Sequence, residues 1–79
     1  MMLIKANNDL ICIDKFIRAE FEPNLYNKST ITIIYTVEGA DEKDPYTSSV
    51  FTKISKNSLE LLADALTNDK KFVDLSKNT

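Results

Sequence analysis

The chain has 79 residues, ten basic and twelve acidic, and a formal charge of −2. A chain this short buries only about 60% of the surface its unfolded form exposes, which leaves one thin core in one domain and raises the value of a second chain as a source of stability. An apolar fraction of 43% excludes a mainly disordered chain, and with no basic run longer than Lys70-Lys71 the composition disfavours nucleic acid, whose binding begins with clustered positive charge.

At the start, Met1-Met2-Leu3-Ile4 runs into Lys5 and the polar Asn7-Asn8-Asp9, too short an apolar stretch for a secretory leader. No segment approaches the ~20 apolar residues of a membrane span. The sequence therefore reads as cytoplasmic and not membrane-inserted. A lone cysteine, Cys12, has no intrachain partner and agrees with a reducing compartment; among Leu10, Ile11 and Ile13 it reads as a small buried hydrophobe.

Ala6-Asn7-Asn8-Asp9 supplies the residues a tight hairpin turn needs and predicts strands over residues 2–5 and 10–13. From Phe16 to Glu22 the pattern alternates, with Ile17, Ala19 and Phe21 on one side and Arg18, Glu20 and Glu22 on the other. That predicts a half-buried strand over 16–22, closed by Pro23 and a polar loop. The loop contains Asn27-Lys28-Ser29, a glycosylation triplet without meaning in a chain that is not exported.

Thr30 to Glu38 is the clearest strand, with Ile31, Ile33, Tyr35 and Val37 on one face and Thr30, Thr32, Thr36 and Glu38 on the other. Ile34 falls on the threonine face. Gly39 to Pro45 makes a turn, and residues 46–54 form the partner strand, with Tyr46, Val50 and Ile54 on one face and Phe51 opposite among Thr47, Ser49 and Lys53.

Asn57-Ser58-Leu59-Glu60 has the form of a helix start, with Ser55 an alternative cap. A stripe of Leu59, Leu62, Ala63 and Leu66 carries the helix over 57–68. Phe72, Val73 and Leu75 give residues 70–75 enough apolar content to dock, as a strand or as an irregular anchor, and Ser76 to Thr79 are expected to fray. The elements make a single α+β domain over residues 1–79, an antiparallel β-meander of four to five short strands packed on one C-terminal α-helix.

No catalytic, cofactor or metal motif is legible. The chain has no histidine to act as a base for a serine, threonine or cysteine nucleophile. Its single glycine excludes the glycine-rich phosphate loops. Glu38, Asp41, Glu42 and Asp44 cluster without the spacing of a calcium loop and read as a solvated turn.

The expectation is a non-enzymatic accessory or regulatory protein that binds another protein, with a second copy of itself as the first candidate and without a cofactor. Ile34 and Phe51, two large apolar side chains on the polar faces of neighbouring strands, are the candidate interface, and Leu61, beside the helix stripe, is a third candidate. Two alternatives stand beside this reading. Strands followed by a helix resemble, in topology alone, some single-stranded nucleic-acid binders that use an open sheet face, and the turn from Glu38 to Asp44 has the charge of an acidic-loop inhibitor.

Overall fold

In the computed structural model the described residues are 1–23 and 29–76; the Asn27-Lys28-Ser29 triplet lies mostly outside them. In chain order the elements are β1 (Met2–Ala6), β2 (Asp9–Ile13), β3 (Lys15–Glu22), β4 (Thr30–Thr36), β5 (Tyr46–Thr52), α1 (Ser58–Thr67) and β6 (Phe72–Asp74). They form an α+β fold of two three-stranded sheets, β2-β1-β6 and β3-β4-β5, with the helix near the C-terminus.

The first hairpin closes over Asn7-Asn8 in the register Ala6↔Asp9 to Met2↔Ile13. Asn7 adopts a φ of 56°, a conformation that asparagine tolerates and β-branched residues resist. The turn is also tied down: the Asn7 backbone N–H donates to Ser76 Oγ, and its side-chain amide donates to the Thr52 carbonyl, both at 2.7 Å. The tail, left open by the sequence, becomes β6. It runs parallel to β1 on the side away from β2, with Leu3↔Phe72 and Lys5↔Asp74 in register. Ser76, expected to fray, pairs with Ile54.

The second sheet is the expected meander, β3 antiparallel to β4 and β4 to β5. The sheets join at Asp14, whose N–H donates to the Thr36 carbonyl at 2.8 Å. Their inner faces share one core of Met2, Ile4, Ile13, Ile31, Ile33, Tyr35, Phe51, Ile54, Val73 and Leu75, with Leu62 and Ala65 added by the helix.

Two bulges correct the phases read from the alternation. In β3 the register slips between Phe16 and Arg18, so Phe16 turns toward the core with Ala19 and Phe21, and Ile17, expected inside, is 48% exposed. The larger correction concerns β5. Phe51 lies opposite Ile31 and is buried, whereas Tyr46 and Val50 point outward beside Thr36 and Thr32. Ile54 is nevertheless buried as well. The reason is Lys53, which takes a φ of 56° and places an extra residue after the strand, so that the Ile54 N–H reaches the Ser29 carbonyl. The alternation thus restarts one residue late.

The helix packs against β6 and β3. Its buried residues are Ser58, Leu62 and Ala65, so that of the expected stripe Leu62 alone is buried; Leu59, Leu61 and Leu66 flank them at 37–40% exposure, and Ala63 faces outward. Asn57 precedes the helix without a side-chain capping bond, and Ser55 Oγ accepts the Asn57 N–H at 3.1 Å instead. Ser58 Oγ is fully buried without a hydrogen-bond partner among the described residues. A buried hydroxyl in that state costs about 1–3 kcal/mol of desolvation, so Ser58→Ala is expected to raise the urea midpoint at unchanged slope. A lower midpoint would show that the hydroxyl is bonded in solution.

Candidate functional site

The three residues expected at an interface do not come together. Phe51 lies in the core, while Ile34 lies on the opposite, outer face of its sheet, half-buried between Arg18 and Ser48. Their opposite facing follows from the β5 phase, since residues in register on neighbouring strands share a face and Phe51 shares that of Ile31. Leu61 is 37% exposed on the helix, apart from both strands.

A coherent apolar surface lies elsewhere, on the outer face of the first sheet. Alternation along β1 sends Met2, Ile4 and Ala6 inward and Leu3 and Lys5 outward. The registers then align Cys12, Leu3 and Phe72 in one row across the three strands, and Leu10, Lys5 and Asp74 in the next. Neighbours within a row are about 4.8 Å apart. Phe72 is 50% exposed, Leu10 59% and Leu3 37%, and Cys12 is exposed rather than buried as the sequence suggested.

The polar end of this face is held in place. Lys5 Nζ lies 3.6 Å from Asp74 Oδ2, and the Ser76 N–H donates to Asp74 Oδ1 at 2.8 Å. The bonds from Ser76, backbone first and side chain second, hold the Asp74 carboxyl below the usual carboxylate range; a small desolvation opposes them, and the charge of Lys5 adds to them. The surface is therefore an apolar row beside a fixed pair of opposite charges.

The signal for it was present in Leu10-Ile11-Cys12-Ile13. A hairpin strand that is apolar at every position must either be covered on both faces or expose one. Here one face is open, and Leu3 and Phe72 extend it from the two ends of the chain.

The other surfaces have different characters. On the outer face of the second sheet Arg18 is ion-paired with Glu20, and the row positions around it include Glu22 and the threonines of β4; its aromatic among the described residues is Tyr46. That is not a basic stacking platform of the kind single strands require. In the acidic turn, Asp41 Oδ1 accepts the Lys43 N–H at 3.0 Å and the Asp41 carbonyl accepts the Asp44 N–H at 3.1 Å, so Asp41 shapes the turn. Among the described residues no three acidic or cysteine side chains converge as a metal would require. A depression of about 120 Å³ lies between the start of β1, the Asp14 corner and the helix end at Ala65 and Leu66, well below the ~300–1,000 Å³ of small-molecule sites. No helix among the described residues is long and apolar enough to cross a membrane.

No protein family, curated protein or solved structure matches the chain.

Proposed function

We propose that the chain is a small, non-catalytic accessory or regulatory protein of the cytoplasm that works as a protein-binding module. The observation that supports this reading is the apolar row Cys12-Leu3-Phe72, with Leu10 beside it, on the open face of the first sheet. Exposed apolar side chains gathered on one rigid face favour contact with another protein surface, and a half-exposed phenylalanine is the kind of anchor that dominates such contacts. The exposed, unpaired Cys12 suits a reducing compartment.

The test is a comparison of wild type with a Leu10→Ser/Phe72→Ser double variant, each immobilised and exposed to lysate of the native host. Both side chains are largely exposed, so the variant is expected to keep its fold, with a stability change of about 1 kcal/mol or less. Wild type is expected to retain a stoichiometric protein partner that the variant loses, and retention is expected to hold or strengthen in high salt, as apolar association does. Equal retention by both, or release by moderate salt, would point away from this face and toward the acidic turn.

A further inference from the structure

We propose that the chain forms a two-fold homodimer in which β5 pairs antiparallel with β5 of a second copy, joining the two β3-β4-β5 sheets into one of six strands. The inference rests on the reading of the chain as a binding module, but it uses a surface separate from the Cys12-Leu3-Phe72 row.

The first observation is the contrast between the edges of the second sheet, β3 and β5. An open edge invites another strand unless charges, proline or a bulge within the strand discourage it. The β3 edge carries Lys15, Arg18, Glu20 and Glu22 and is bulged. The β5 edge, Tyr-Thr-Ser-Ser-Val-Phe-Thr, is seven residues long with no charge, no proline, no glycine and an unbroken register against β4. The free strands of the other sheet are shorter: β2 has five residues, beginning at Asp9, and β6 has three.

The second observation sets the pairing phase. The Thr52 carbonyl accepts the Asn7 side-chain amide, so it points away from β4. Along a strand the N–H and C=O groups of one residue point to the same side and alternate from one residue to the next. Tyr46, Ser48 and Val50 therefore present their backbone donors and acceptors to the open edge. Antiparallel pairing about Ser49 satisfies this phase, placing Ser48 opposite Val50 of the second copy; the ladder is confined to residues 48–50, because the Asn7 amide already holds the Thr52 carbonyl at the end of the edge.

The third observation is charge. The same register carries the end of one β5, at Lys53, alongside Pro45 and Asp44 at the start of the other. Lys53 is exposed and has no ion pair among the described residues, and the turn before β5 holds Asp41, Glu42 and Asp44 with Lys43 among them, all exposed and together of charge −2. The two-fold axis brings each acidic turn toward the other copy's lysine, while the strands between them contribute no like charges. A second copy satisfies both ends at once. One strand edge covers less than the ~800 Å² per partner of a standard interface, so the dimer is a dissociating one.

The experiment is sedimentation velocity from high to low micromolar concentration on wild type, Ser48→Pro, Val50→Lys and Phe72→Ser. Proline at 48 removes an outward N–H and leaves the β4 ladder its bonds; lysine at the exposed position 50 adds the charge that guards natural edges. Wild type is expected to show a monomer–dimer equilibrium. Each β5 variant is expected to weaken it at least about tenfold, the weight of one or two lost hydrogen bonds, and Phe72→Ser is expected to leave it unchanged. Amide exchange should show Ser48 and Val50 protected at high concentration and not at low, a readout that a misfolded variant cannot imitate. Wild type monomeric throughout, dimerisation untouched by Val50→Lys, or dimerisation abolished by Phe72→Ser alone would each overturn the proposal, and only the last implicates the first sheet instead. Loss of the partner in the lysate experiment bears on the Phe72 face and leaves this result standing.

Discussion

Phe51→Ser is expected to cost about 3–5 kcal/mol, the range for truncating a buried phenylalanine. The residue is 5% exposed and faces Ile31 across the β4–β5 ladder, inside a core it shares with Ile33 and Tyr35. A chain of this length has a total stability of about 4–12 kcal/mol, so the variant should be largely unfolded, or melt far below wild type, in thermal or urea denaturation followed by circular dichroism. The adjacent Val50→Ser, at a position 59% exposed, is expected to stay within about 0.5 kcal/mol at a concentration where the chain is monomeric. The pair is a direct test of strand phase, because only one of two consecutive residues can face the core. A larger loss at Val50 than at Phe51 would mean that β5 is turned over, as its sequence alone suggested.

The places where the sequence was legible are those where a local rule and the tertiary structure agree. Asn7-Asn8 announces a hairpin because asparagine accepts the positive φ that the turn uses. Ile31, Ile33 and Tyr35 alternate with Thr30, Thr32, Ile34 and Thr36 over a segment with no bulge, and all three are buried, whereas Val37, expected beside them, lies past the end of β4 and is 36% exposed.

Elsewhere the alternation is broken by irregularities that no residue type announces. Lys53 at positive φ has no counterpart in turn preferences, yet it alone lets Phe51 and Ile54, three apart, both reach the core. The slip after Phe16 did the same on a smaller scale, exposing Ile17. The apolar row was hidden for another reason. Leu3 and Phe72 meet only through parallel pairing of the first and last strands, and no local pattern reports a partner at the far end of the chain.

The leucines mark the helix but not the centre of its buried face, and of the expected stripe only Leu62 reaches the core. At 3.6 residues per turn, Leu61 and Leu66 sit about 70° to either side of a centre defined by Ser58, Leu62 and Ala65. The small residues permit close approach to the sheets, and Leu62, 1% exposed, is the one large side chain that enters the core from the helix. A ten-residue helix has little stability of its own and depends on that anchor. Leu62→Ala is therefore expected to cost about 2–5 kcal/mol and to release the helix first, with amides of residues 62–67 exchanging faster than those of β4. Leu61→Ser, at a side chain 37% exposed, is expected to cost about 1 kcal/mol or less and to leave helical exchange near wild type. Equal losses at the two positions would move the centre of the buried stripe toward Leu61 and make that side chain a packing residue rather than part of any surface offered to a partner.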